Sequence, residues 1–381
     1  MNNTVCEQNM CAGCMACVDV CPKHAVTVLD SLVAYNAIID SDLCISCNAC
    51  HKICQAIIQP AFRPPILWKQ GWACDYTLRE KSSSGGLATA LGISFIESGG
   101  VVYCCTFENG EFIFKRANTA QELYQRTGSK YVKSIPKEVY KKIKQTLKDE
   151  IKVLFIGLPC QVAALLNFCG NNQNLYTIDL ICHGSPSPKL LSLFLRENDI
   201  DINKIQHISF RNKGQFILKS NNTRLSPPEI GDYYTATFLN GTTYTENCYF
   251  CKYARKERVS DLTLGDSWGS TLSIEEQSKG ISLLLVQTEK GIQLIKSADI
   301  ELLDVFVDTA ISNNHQLQHP MLKNPQRDKF FIVLEKSGIF RKAYAKSFPK
   351  QYRKDIIKKI MIMLHINWII YNNKKTGGAK K

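Results

Sequence analysis

Eight cysteines near the N-terminus are spaced to hold iron and sulfide. Cys11-x2-Cys14-x2-Cys17-x3-Cys21 is followed by Pro22, and the spacing returns as Cys44-x2-Cys47-x2-Cys50-x3-Cys54. Three thiolates at x2 spacing wrap a tight loop around one face of a 4Fe–4S cube, and the fourth, after x3, reaches the other cube. On that logic Cys11, Cys14, Cys17 and Cys54 hold one cluster, and Cys44, Cys47, Cys50 and Cys21 hold the second. The competing reading is two zinc sites, but zinc usually takes two CxxC pairs separated by a longer loop. Gln55 stands where the first run has proline, which is expected to change only the local turn. Cys6 lies outside the pattern and reads as an unligated thiol.

The internal duplication is that of bacterial ferredoxins. A further set of cysteines is dispersed. Cys160 in GLPCQVAAL and Cys182 in DLICHGSPSP each sit where a strand pattern ends and a helix pattern begins, the place where ligands collect in open α/β sheets. Cys248-x2-Cys251 supplies two ligands and needs two more from elsewhere. Cys160, Cys182, Cys248 and Cys251 are therefore expected to hold a third 4Fe–4S cluster, with zinc as the competing metal. Cys74, Cys104, Cys105 and Cys169 lack ligand spacing and read as packed thiols. His183 reads as a structural hydrogen-bonding group more readily than as a catalytic one.

Two glycine-containing stretches could meet a phosphate or a flavin edge. SSSGGLATALG (residues 82–92) leads serines and glycines into an apolar helix, whose N-terminus favours anions. RTGSKYVKS (residues 126–134) presents Gly, Ser and Lys in a row, able to contact a phosphate or reduced flavin N1. The plain alternatives are a capped helix with a flexible lead-in and a surface turn.

These residues need elements to position them. The 381 residues suffice for two or three domains, and 45% hydrophobic with 21% charged is ordinary for a globular protein. GVVYCCTF and FIFKR, separated by Asn109-Gly110, predict a hairpin. KVLFIG, NLYTIDLICHG and ISLLLVQT read as buried strands, each followed by a helical pattern. That alternation predicts an α/β or α+β domain containing parallel pairs. QPAFRPPILWKQG reads as a proline-rich linker. The expected organisation is a two-cluster ferredoxin domain over residues 1–60, a flavin and iron–sulfur domain over 70–320 and a basic helical tail over 326–381.

From residue 321 onward there are 16 Lys+Arg against 3 Asp+Glu, a surplus that matches the whole net charge of +13. The body is thus neutral, which argues against a nucleic-acid-binding protein. MNNTVCEQNMC has no basic or apolar leader pattern, so no signal peptide is expected, and 17 cysteines point to thiols kept reduced as metal ligands in a cytoplasm. The apolar run from Ile360 to Tyr371 is too short to span a bilayer. With its lysines it allows either peripheral membrane contact, a helix packed on the body, or an acidic protein partner.

The order of motifs resembles the coenzyme F420-reducing hydrogenase and dehydrogenase beta-subunit family: duplicated cysteine module, SSSGG, GSKY, GLPCQ, CHGSPSP, CxxC and DLTLGDSWG. The resemblance runs from Cys11 to Leu317. It implies an iron–sulfur flavoprotein carrying FAD, exchanging electrons between clusters and a two-electron acceptor such as F420 or another small organic substrate. It implies a redox partner, either a ferredoxin or another oxidoreductase subunit. It places Ser84, Gly85 and Gly86, together with Ser129, Lys130 and Tyr131, along the flavin, and Pro159, Cys160 and Gln161 between flavin and cluster. Asp266, Trp268 and Gly269 match the closing motif, with Ser267 where an aromatic is usual. A subunit that relays electrons inside a larger complex without its own substrate is the alternative.

Overall fold

The computed structural model describes residues 4–227 and 229–364. The first module is built as a repeat. In each half a cysteine loop turns into a one-turn helix, Ala16–Val20 or Ala49–Ile53. The residues before these helices, Met15 and Asn48, are both left-handed, and Cys21 and Cys54 end them with near-identical extended angles. Gly13 and Ser46, also left-handed, donate their N–H to the sulfurs of Cys11 and Cys44 at 3.4 Å. Equal spacing thus yields equal backbone paths. Strands β1 (Val26–Asp30) and β2 (Tyr35–Ile39) pair antiparallel between the halves.

The body is a mixed sheet flanked by helices. Its strands in chain order are β3 (Leu67–Ala73), β4 (Val101–Glu108), β5 (Glu111–Ala117), β6 (Val153–Ile156) and β7 (Leu175–Leu180). A small antiparallel sheet follows: β8 (Ile208–Asn212), β9 (Gln215–Ser220) and β10 (Thr223–Arg224). The body sheet then resumes with β11 (Leu262–Asp266), β12 (Ser282–Val286) and β13 (Ile300–Asp304). The spatial order is β13-β3-β12-β11-β7-β6-β4-β5. The β4–β6, β6–β7 and β7–β11 pairs are parallel, and the outer pairs are antiparallel. This is the expected α+β and α/β arrangement.

The hairpin at Asn109-Gly110 forms as the sequence indicates, with both residues at positive φ. The strands read from KVLFIG, NLYTIDL and ISLLLVQT are β6, β7 and β12, followed by helices Pro159–Cys169, Pro188–Glu197 and Glu289–Lys296. The linker reading needs a correction at its end. Leu67–Ala73 is an inner strand of the main sheet, because its prolines, Pro60, Pro64 and Pro65, all precede the first ladder bond.

Module and body share one core. Ala16, Tyr35 and Cys17 pack in the same cluster as Tyr140, Phe155 and Val162. Polar contacts add to it: Asp19 accepts from the Glu138 amide at 2.7 Å, and Asn167 donates to the Ile53 and Ile58 carbonyls.

The first two helices of the basic segment, Arg327–Ser337 and Phe340–Ser347, also enter the core. Phe330, Leu334, Phe340 and Tyr344 bury against Phe194, Phe210 and Tyr234. A third helix, Pro349–Met363, leaves Ile357, Ile360, Met363 and Leu364 exposed near its end. The rest of the apolar run that begins at Ile360 lies outside the described residues. No helix among the described residues is long and apolar enough to cross a membrane.

Candidate functional site

The two ferredoxin-type sets lie close together, Cys50 of the second also acting on Cys17 of the first. Cys11, Cys17 and Cys54 all act electrostatically on Cys14, while Cys21 and Cys44 act on Cys50. The first set is buried. Burial pushes the Cys14 and Cys17 thiols up, and neighbouring thiolates push them further. The second set lies nearer the surface, with Cys47 exposed, and Cys21, Cys44, Cys47 and Cys50 line one small cavity.

Cys6 is closer to this chemistry than its sequence position implied. Its thiol faces Cys11 and Cys54, an arrangement that pushes the Cys6 pKa up and the Cys54 pKa down. The backbone explains the placement: the Val5 N–H bonds the Ala37 carbonyl at 2.9 Å and Cys11 bridges Tyr35, so the intervening loop is tied to β2.

The dispersed cysteines converge. Cys160 is the second residue of helix Pro159–Cys169, entered from the end of β6. Cys182 lies two residues past β7. Cys248 lies within the short 3-10 turn Glu246–Phe250 and Cys251 immediately follows it. All four line one cavity of about 230 Å³, together with Lys133, Pro159, His183 and Tyr253. Burial pushes Cys160 well up, Cys182 to about 12 and Cys251 to about 11, and thiolates within the set add to each shift. Cys14 also acts on Cys160, so this set neighbours the first one. Among the described residues no group of three or more His, Cys, Asp or Glu meets at one ion-sized point; the four thiols surround a volume instead. All the thiols are free, and cysteine thiolates are the ligands by which iron–sulfur clusters are held.

A buried ion pair fixes the cavity wall. Arg258 meets Asp179 of β7 at 3.1 Å, and its remaining arms donate to the Tyr253 and Leu180 carbonyls. It therefore ties the loop carrying Cys248 and Cys251 to the strand that leads to Cys182.

The glycine-containing loops meet each other. The Ser129 amide donates to Ser83 Oγ at 2.8 Å. Gly128 (φ 90°) stands at this junction, and a Cβ there would find nothing closer than Ser83 Oγ at 3.9 Å. Gly128 itself is exposed, so the room beside it opens to solvent. The serines, however, do not cap the following helix. Leu87–Glu97 begins after left-handed Gly86, without a side-chain cap. Ser82 donates to the Leu78 carbonyl and Ser84 to that of Ile281, so their hydroxyls are committed to the preceding helix and to the residue that leads into β12. Lys130 likewise turns back on its own loop, donating to the Arg126 and Gly128 carbonyls, and burial lowers its pKa. Gln161 accepts from the Leu158 amide and donates to Ser134, both at 2.9 Å, fixing the loop that carries Pro159 and Cys160.

Tyr131 joins an aromatic cluster, stacked on Phe238 at 4.5 Å, with its hydroxyl facing Arg211. Arg211 forks onto Asp266 and lies over the Phe216 and Trp268 rings. Burial works to lower the Arg211 pKa, but the Asp266 hydrogen bonds and charge outweigh it and raise it. His183 packs edge-on to His315 at 5.5 Å, and its Nδ1 is buried without a partner. Burial, reinforced by His315, pushes His183 down to about 4, so it is neutral at physiological pH. Lys213 donates to the Arg79 and Ser84 carbonyls. Arg79, Arg211 and Lys213 carry no spacing signal in the sequence. Arg79 lies on the helix that leads into SSSGG, whereas only the return of the small β-sheet over the end of β11 brings Lys213 to this loop and Arg211 to Asp266.

Two family models match the chain, both for the beta subunit of coenzyme F420 hydrogenase/dehydrogenase. The model of its N-terminal part matches residues 69–138, and the model of its C-terminal part matches residues 151–304. No curated protein matches. Among solved structures, the chain is similar to one from the xenon-derivatised F420-reducing [NiFe] hydrogenase complex of Methanosarcina barkeri. That chain is 19% identical, with 69% of this chain and 97% of the other covered and a TM-score of 0.47. The two models together span more than half of the sequence, beginning just after the cysteine-rich module, and the chain belongs to the coenzyme F420 hydrogenase/dehydrogenase beta-subunit family.

Proposed function

We propose that this chain is an iron–sulfur flavoprotein oxidoreductase. It passes electrons between 4Fe–4S clusters and FAD, and by hydride transfer to or from a two-electron acceptor, F420-like or another small organic molecule. The observation that carries this reading is the convergence of Cys160, Cys182, Cys248 and Cys251 around one cavity beside the first cysteine set. Three separate segments deliver these thiols, an arrangement that packing alone does not require.

Clusters exchange single electrons and a flavin exchanges one or two, so the pair joins one-electron donors to hydride acceptors. Cys11, Cys14, Cys17 and Cys54 would hold the inner cluster, Cys21, Cys44, Cys47 and Cys50 the outer one, and the dispersed four a third. Ser84, Gly85, Gly86, Ser129, Lys130 and Tyr131 would bound the flavin, with Pro159 and Gln161 on the side facing the cysteine cavity. Arg258 fixes the cavity wall, Gln161 fixes the loop that carries Cys160, and His183 offers an unpaired ring nitrogen nearby.

The family is described as a beta subunit, which supports a redox partner, either a ferredoxin or another subunit. It also keeps open the second reading, a relay subunit without its own substrate. Anaerobic purification with iron, zinc and flavin quantified per chain tests the proposal. Iron for three clusters with one flavin, bleached by a low-potential donor, is expected; zinc in place of iron, or a flavin-free chain with intact clusters, overturns it. Reduction of a non-dye acceptor by the isolated chain separates the enzyme from the relay.

A further inference from the structure

Lys133 belongs to the body, yet it enters the cysteine module. Its backbone N–H is pinned to the Pro186 carbonyl at 2.9 Å, just beyond Cys182. Its side chain crosses to the first cysteine loop, where Nζ donates to the Ala12 carbonyl at 3.0 Å and lies 5.1 Å from the Tyr35 ring centroid. The residue is 3% exposed.

Among the described residues no carboxylate pairs with it; a neutral carbonyl and a ring face are its partners. Burying an ammonium without a counter-charge is strongly unfavourable. The missing negative charge has an evident source. Lys133 acts electrostatically on Cys11 of the first set and on both Cys160 and Cys182 of the dispersed set, favouring the thiolate at each. It also lines the cavity that the dispersed set surrounds. The lysine beside the second ferredoxin-type set, Lys23, lines that cavity but is exposed, so solvent screens its charge where Lys133 is buried.

We propose that Lys133 is the shared counter-ion of the inner cluster and the dispersed-cysteine cluster, raising the reduction potential of both relative to the outer one. The inference rests on the cluster reading above. Reduction adds one electron and no proton to a cluster that is already anionic when its thiolates are counted. A fixed cation in a low-dielectric interior favours the more negative state. The hydrogen bond to Ala12, between ligands Cys11 and Cys14, also registers module against body. Lys133 is thus a positioning and tuning residue, in contact with no substrate.

The test is an EPR-monitored potentiometric titration, with dithionite as reductant, of the anaerobically purified full chain and its Lys133→Met, Lys133→Gln and Lys133→Arg variants. Iron per chain is measured first. Fewer than three clusters in the unsubstituted protein defeats the cluster reading itself, and the inference with it. With three clusters present, Lys133→Met is expected to lower two of the three potentials. Each should shift by at least a tenfold fall in the reduced-to-oxidised ratio at fixed poise, ~59 mV for a one-electron couple. The outer cluster should be unmoved, and Lys133→Arg should restore most of the shift. Where Lys133→Met does not retain iron, Lys133→Gln keeps a donor for Ala12 without the charge and must show the same shift. Unchanged potentials in the neutral variants, or an equal shift of all three clusters, overturn the proposal while leaving the cluster reading intact.

Discussion

Arg211 grips Asp266 through both of its terminal nitrogens, at 2.5 and 2.7 Å, and so joins the small antiparallel sheet to the carboxyl end of β11. Asp266 is the second residue of the GDSWG stretch, and the same guanidinium covers the Trp268 ring. The pair is therefore the clasp that holds the aromatic wall near His183. Both side chains are largely buried, and removing one partner leaves the other charge uncompensated. Asp266→Asn is expected to cost about 3 kcal/mol, the lower end for a broken buried pair, since Asp266 retains some solvent contact. Arg211→Lys should recover only part of it, because an ammonium cannot reproduce the fork. Denaturant unfolding of the anaerobic protein measures both, and an Asp266→Asn variant as stable as the parent would show the clasp to be dispensable.

A second clasp acts on metal loading. Arg258 and Asp179 are both fully buried, and Arg258 also holds the Tyr253 and Leu180 carbonyls. Replacing Arg258 by Met strips the buried Asp179 carboxyl of its cation, and burial then pushes its pKa further up, at a cost of about 3–5 kcal/mol. The loop with Cys248 and Cys251 loses its tie to the Cys182 strand. Iron analysis should therefore show the loss of one cluster's worth of metal while both ferredoxin-type clusters remain. Full iron content in Arg258→Met would mean that the cysteines organise this wall unaided.

Lys213 gives a pH dependence of defined sign. Burial, then the charges of Arg79 and Arg211, push its pKa down to about 8 from 10.5. Between these values the unfolded chain holds a proton that the folded chain has released. Stability contributed by this group therefore rises as pH climbs from about 8 to 10.5, and the cost of its charge is fully present below 8. In Lys213→Met that contribution is absent. The melting temperature of the parent minus that of the variant should increase between neutral pH and the alkaline end of this window, and a constant difference would show that Lys213 is not destabilised by burial.

Much of this was legible because the strongest signals are local. The cysteine runs fix their own loops, and the apolar runs of β6, β7 and β12 have no solvent-facing alternative. Asn109-Gly110 admits one kind of turn. What sequence concealed is long-range. β3 was masked by the prolines before it, since a breaker marks where a strand cannot lie and not where it starts. Lys133 and Arg211 look like ordinary charges within alternating stretches, and only tertiary packing gives them buried partners. The serines of SSSGG match a capping pattern, but the residue that leads into β12 and the Ser129 loop bind their hydroxyls first. The basic surplus after residue 321 suggests a detached tail, whereas Phe330, Phe340 and Tyr344, interleaved with those lysines, carry two of its helices into the core.

Gly85 and Gly128 allow packing and ligand roles to be separated within the same proposed flavin site. A Cβ on Gly85 would lie 2.4 Å from the Gly71 carbonyl oxygen and 2.8 Å from the Ser282 nitrogen. Both are backbone atoms of inner strands, so neither can yield without moving the sheet. Gly85→Ala is therefore expected to cost about 1–3 kcal/mol through overpacking, whether or not flavin is bound. A Cβ on Gly128 meets no such wall, though its left-handed backbone adds roughly 1–2 kcal/mol of strain. Its methyl group would sit at the exposed junction where the Ser129 amide meets Ser83, the edge of the proposed flavin site. Gly128→Ala should thus lower flavin content per chain more than Gly85→Ala does at equal folded fraction. Flavin quantified after unfolding, alongside denaturant melts of flavin-stripped protein, measures the two effects separately. Gly85→Ala with parental stability would place that glycine's role at the ligand and not in the sheet.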